Sequence, residues 1–112
     1  MSPFWLVTPE KVREAVRRIV SAQRPKRIIL FGSASRGEVG LNSDADFLVI
    51  TDQEMSSPRR ESVRLRRALR GLSMPMDILV ISERRLKELS NQPGLIYLEA
   101  LRSGKVVYEA AA

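Results

Sequence analysis

The sequence predicts an α+β fold in which a small β-sheet carries packed helices. Helical and strand-type segments alternate along the chain, short unbroken apolar runs are bracketed by turn-forming residues, and no repeat, low-complexity tract or long linker interrupts them. At 112 residues and 44% apolar content, the chain can build one hydrophobic core and is too short for a catalytic domain plus a separate substrate domain. A single domain over residues 1–112 is expected.

Thr8 followed by Pro9 is a cap followed by a residue suited to the first helical turn, and Val12, Ala15, Val16, Ile19 and Val20 recur at helical spacing. The first helix is therefore expected from about Pro9 to Gln23, with Pro25 stopping it. Arg27 to Phe31 reads as a short buried strand ending at Gly32 and Ser33, followed by a brief helical turn and a loop through Gly37, Gly40 and Asn42. Asp44 to Thr51 has two polar entry positions and then the run Phe47, Leu48, Val49, Ile50, the pattern of a central strand covered on both faces. Ser57 and Pro58 open a second helix with the apolar stripe Leu65, Ala68, Leu69 and Leu72, and Gly71 lies near its end. Met76 to Ile81 is a third strand. Ser82 caps a helix through about Leu89, and Pro93 opens another with apolar positions Leu95, Ile96, Leu98 and Leu101. Gly104 fits a C-terminal cap, and Lys105 to Tyr108 a last short strand.

Composition narrows the chemistry. The chain contains neither cysteine nor histidine, which removes disulfides, the usual zinc and iron sites, thiol nucleophiles and imidazole as proton carrier. Catalysis must then come from carboxylates, hydroxyls, Lys or Arg, or from a hard metal bound through oxygen. The apolar runs Ile28 to Phe31, Phe47 to Ile50 and Ile78 to Ile81 are far shorter than the roughly 20 residues of a membrane span. Met1 to Val7 has no basic start and no long apolar stretch of the secretory kind, so a cytoplasmic, membrane-free location is expected. The formal charge of +6 favours polyanionic partners such as nucleotides, RNA or an acidic protein surface.

Asp44 and Asp46 sit at the entrance of the second strand and Asp77 at the entrance of the third. Residues two apart in a strand project to the same side with α-carbons roughly 6 to 7 Å apart, so Asp44 and Asp46 can address one cation. If the two strands are neighbours and their acid-bearing ends meet, Asp77 joins them, and three carboxylates that close repel without a bound cation. Oxygen ligands of this kind suit Mg²⁺. Two such ions can stabilise the attacking and leaving oxygens of a displacement at phosphorus. An Asp-x-Asp pair alone also fits the wet side of an ordinary strand.

Upstream, Gly32 permits close approach of the backbone to a ligand, and Ser33 can cap the following turn. Backbone N–H groups there, with the Ser33 hydroxyl, can hold phosphate oxygens, although a plain glycine turn with a serine cap has the same sequence. Arg36 can neutralise a triphosphate or pair with an acid. Neither the Walker pattern nor the dinucleotide Gly-x-Gly-x-x-Gly pattern is present.

Taken together, Gly32-Ser33-Ala34-Ser35-Arg36-Gly37, Ser43-Asp44-Ala45-Asp46-Phe47-Leu48-Val49 and Asp77 within Met76-Asp77-Ile78-Leu79-Val80 resemble the signature of the DNA polymerase beta nucleotidyltransferase superfamily, in its minimal nucleotidyltransferase branch. The resemblance implies that family's fold, with a small mixed sheet, and transfer of a nucleoside monophosphate from a triphosphate, ATP being the favoured donor, onto an acceptor hydroxyl. It implies that Gly32 and Ser33 hold the triphosphate, with Arg36 at a basic position of the motif. Asp44 and Asp46 would bind Mg²⁺, and Asp77 would complete the second metal site and help deprotonate the acceptor. Relatives of this size often accompany a HEPN-domain protein as the antitoxin of a two-protein system, and some add AMP to that partner. A noncatalytic module that neutralises a partner by direct contact is the alternative.

Arg59, Arg60, Arg64, Arg66, Arg67 and Arg70 crowd the second helix and read as a solvated face, with contact to RNA or an acidic partner as the functional version. Few aromatic residues accompany them, which disfavours base stacking. Phe4 and Trp5 can pack on the core or mark a protein contact, and packing is favoured. Ser103-Gly104-Lys105 resembles a phosphate loop only superficially, and a helix cap explains it.

Overall fold

A computed structural model describes residues 5–32, 44–92 and 96–111. Its elements in chain order are α1 (Pro9–Gln23), β1 (Arg27–Phe31), β2 (Ala45–Thr51), α2 (Pro58–Ala68), β3 (Met76–Ser82), α3 (Glu83–Glu88), α4 (Ile96–Ser103) and β4 (Lys105–Glu109). The expected turn and loop through Gly37, Gly40 and Asn42, and the expected helix start at Pro93, lie outside the described residues.

Local chemistry sets the helix starts. Thr8, Ser57 and Ser82 each adopt extended backbone and accept a hydrogen bond from the amide three residues on, at 3.2, 3.2 and 3.1 Å. This satisfies one of the orphan donors of a first helical turn, and Pro9 and Pro58 occupy positions where a missing N–H costs nothing.

The strands form one mixed sheet in the order β3-β2-β1-β4. β1 runs antiparallel to β2 and β4, whereas β2 and β3 are parallel. Parallel neighbours cannot be joined by a tight hairpin, and α2 provides the crossover. Side-chain alternation sends Ile28, Leu30, Phe47, Val49, Ile78 and Val80 to one face, where Ala15 and Ile19 of α1 and Leu65 of α2 cover them. Ile29, Leu48, Ile50 and Ile81 go to the other face, under Leu86 and Leu89 at α3 and Ala100 of α4. Phe47, Leu48, Val49 and Ile50 are all fully buried, as expected for a central strand with helices on both sides.

At Gly104 a side chain has no room, because a Cβ would collide with the Ala100 carbonyl and Ile29 and lie 3.0 Å from the Leu30 carbonyl. Its N–H donates to Ala100 O at 2.8 Å, so the residue closes α4 as the sequence suggested. α2 ends at Ala68, so Leu69 and Leu72 of the expected stripe follow the helix rather than lie within it. The other differences from the expected elements are small. β2 begins at Ala45, leaving Asp44 just outside it, and β3 and β4 each extend one residue further than expected, to Ser82 and Glu109. Trp5 is 45% exposed, so it packs less than expected, and Phe4 is outside the described residues. Among the described residues no helix is long and apolar enough to cross a membrane.

Candidate active site

The parallel pairing of β2 with β3 aligns Asp46 with Asp77. On its other side Asp46 is the register partner of Phe31, the residue before Gly32. The adjacent ends of three strands thus bring the second acid, the third acid and the glycine bend to one edge of the fold, on the sheet face opposite α1 and α2. Alternation requires this placement, since Asp46 shares its face with Leu48 and Ile50, and Asp77 with Leu79 and Ile81. Asp44 stands two residues before Asp46 and is exposed.

Asp46 is half-buried and holds its proton more tightly than an ordinary aspartate, first because burial penalises its charge and then because Asp44 and Asp77 are like-charged neighbours. Gly32 fits against it. A Cβ at Gly32 would collide with Asp46 Oδ2 and approach Cγ to 3.4 Å, and the backbone there has φ +80°, a conformation that favours glycine. Only a residue without a side chain lets the bend after β1 close over this carboxylate.

Asp77 is engaged elsewhere. Its Oδ1 accepts hydrogen bonds from the Arg66 guanidinium of α2 and, at 3.0 Å, from the Ile78 amide. Ser62, one helical turn before Arg66, donates to the Ile78 carbonyl at 2.6 Å. β3 is an edge strand, and these contacts satisfy backbone groups that would otherwise stand open on that edge. Among the described residues no three acids are disposed around one metal position. The donor set nonetheless fits a hard divalent cation, with carboxylate oxygens on adjoining strands and an excess of negative charge that already disfavours ionisation of Asp46.

Ser33 and Arg36 lie outside the described residues. Arg66 also belongs to the site, which the sequence pattern alone does not reveal. It belongs to the arginine-rich helix taken as a solvated face, and all six of those arginines are indeed exposed, but Arg66 reaches an acid of the candidate site. Helical spacing does not signal this contact, and the connection from Leu69 to Pro75 is long enough to leave the neighbour of the helix end open. Arg64 is also engaged, donating to Glu61 at 2.5 Å and to the Ala22 carbonyl at 3.1 Å, which ties α2 to α1.

Comparison with known proteins agrees with the fold. The fold resembles the crystal structure of a protein from Sulfolobus solfataricus provisionally named a nucleotidyltransferase, with a TM-score of 0.60 and 18% sequence identity, over 89% of this chain and 78% of that one. No curated protein matches the sequence. The nucleotidyltransferase domain model matches residues 9–107, from the start of α1 into β4. The chain therefore belongs to the nucleotidyltransferase domain family, and the activity class that goes with it is nucleotidyl transfer from a nucleotide substrate.

Proposed function

We propose that the chain is an Mg²⁺-dependent nucleotidyltransferase of the minimal branch, moving AMP from ATP onto a hydroxyl of a partner protein. The observation that carries this reading is the alignment of Asp46 with Asp77 on parallel strands beside Gly32, with Asp44 two residues upstream. Asp44 and Asp46 are assigned to cation binding and Asp77 to completing the second site. Mg²⁺ bound by these acids would neutralise phosphate charge and stabilise the attacking and leaving oxygens. The Gly32 backbone and the Ser33 hydroxyl are assigned to the triphosphate, with Arg36 adding positive charge.

In the transfer, the acceptor oxygen attacks the α-phosphorus, the bond to the bridging oxygen breaks and pyrophosphate departs. The acceptor proton passes to the Asp77 carboxylate. The acceptor itself is assigned to a HEPN-domain protein in a toxin and antitoxin pair. This rests on the resemblance noted above.

The test is pyrophosphate release with Mg-ATP and candidate partner proteins, comparing wild type with Asp44→Ala and Asp46→Ala. Release that falls to background in both variants is expected. No release by wild type, or release undiminished by the substitutions, removes the catalytic reading. Partner binding that ignores both Mg-ATP and these substitutions would instead favour a noncatalytic module acting by contact.

A further inference from the structure

Arg66 is a cation in contact with the candidate site that the proposed chemistry leaves without a role. Its guanidinium holds Asp77 through one nitrogen, and the side chain makes no other ion pair or hydrogen bond among the described residues. Ser62, on the same side of α2, fixes the helix to the β3 backbone at Ile78, so the guanidinium is delivered to Asp77 from an anchored helix rather than from a loose surface. The pair is open to water, with side chains 54% and 60% exposed, so it is exchangeable. A guanidinium carries several donors in a planar fork that matches carboxylate and phosphate oxygens alike.

From this geometry we infer that Arg66 is a positioning residue that exchanges partners. It holds Asp77 at the sheet edge while the site lacks nucleotide, and turns to phosphate oxygens of the nucleotide when Asp77 is taken up by the divalent cation. The inference rests on the proposed role of the three acids. Its consequence is an order of loading. A fixed positive charge beside the acids opposes a bare divalent cation and favours a cation that arrives bound to a polyphosphate, because the complex with nucleotide is anionic.

The two effects have opposite signs, which a merely structural role would not produce. Titration of wild type and Arg66→Ala with Mn²⁺ alone, and then with Mn²⁺ and a nonhydrolysable ATP analogue, reads both. The expected result is that Arg66→Ala binds Mn²⁺ about threefold more tightly and the Mn–nucleotide complex about threefold more weakly, the size appropriate to an exposed ion pair. Arg66→Lys should return both affinities toward wild type, and thermal unfolding should be little changed in either variant. Equal shifts in the same direction, or none, would overturn the inference. Mn²⁺ binding that Asp46→Ala abolishes but Arg66→Ala leaves alone would remove this inference while sparing the metal site. Mn²⁺ binding indifferent to Asp46→Ala would remove both.

Discussion

Asp46 of β2 stands directly across from Asp77 of β3, two acids on one rung of a parallel ladder. Like charges opposed in this way are unfavourable, and the pKa of Asp46 is raised, first because burial penalises its charge and then because Asp44 and Asp77 repel it. An acid whose folded pKa is raised destabilises the protein once the pH is high enough to ionise it. Asp46→Asn should therefore raise the thermal midpoint at neutral pH and low salt in the presence of a chelator, by about 1 to 3 °C after allowing for solvent screening. The same substitution should remove activity. A variant less stable than wild type under those conditions would contradict the repulsion.

Gly32 faces the same carboxylate from the bend after β1. Gly32→Ala would place a methyl group against Asp46 Oδ2 and force a left-handed backbone on a residue that resists it, at a cost of about 1 to 2 kcal/mol for the backbone alone. Thermal unfolding should show a midpoint lowered by about 5 to 10 °C. An unchanged midpoint would mean that the bend is looser than the contact with Asp46 implies.

Much of this was legible in the sequence. The unbroken run from Phe47 to Ile50 identified a central strand because burial on both faces leaves no room for polar alternation, and Thr8, Ser57 and Ser82 marked helix starts because their hydroxyls satisfy free amides. That the acid-bearing ends of β2 and β3 meet was stated only as a condition, since periodicity within a strand says nothing about its neighbours. The register supplied that condition. The pairing of Asp77 with Arg66 was not legible, because helical spacing gives the face on which an arginine lies but not which strand passes beside it. Trp5, expected to pack, is 45% exposed. An aromatic side chain near a helix start can pack only if the core extends that far.

Glu61 links the helices that cover one face of the sheet. Its side chain is 16% exposed, and its pKa lies below the ordinary 4.5, chiefly through the hydrogen bond from Arg64 and also through one from the buried Gln23. A lowered carboxylate pKa stabilises the fold above the unfolded-chain value, and that contribution is lost as the pH falls through the folded value. Glu61→Gln should accordingly be less stable than wild type at pH about 7, by on the order of 1 kcal/mol, with the gap closing below the ordinary carboxylate range. Urea denaturation at neutral and acidic pH measures it. A gap that does not narrow on acidification would contradict the assignment.

Phe47 is fully buried between β2 and the helices α1 and α2. Phe47→Ala should cost about 3 to 5 kcal/mol, a large share of the stability of a domain this small. Chemical denaturation is the measurement, and a loss under about 1 kcal/mol would show that the core beside the site closes over the gap.

The central claim is that Asp44, Asp46 and Asp77 bind nucleotide through a divalent cation. Calorimetric titration with ATP, with and without Mg²⁺, tests it most directly because no acceptor is needed. The prediction is binding that requires Mg²⁺ and disappears when Asp44 and Asp46 are both changed to Ala. ATP binding of equal strength without the cation, or undiminished in the double variant, would contradict it.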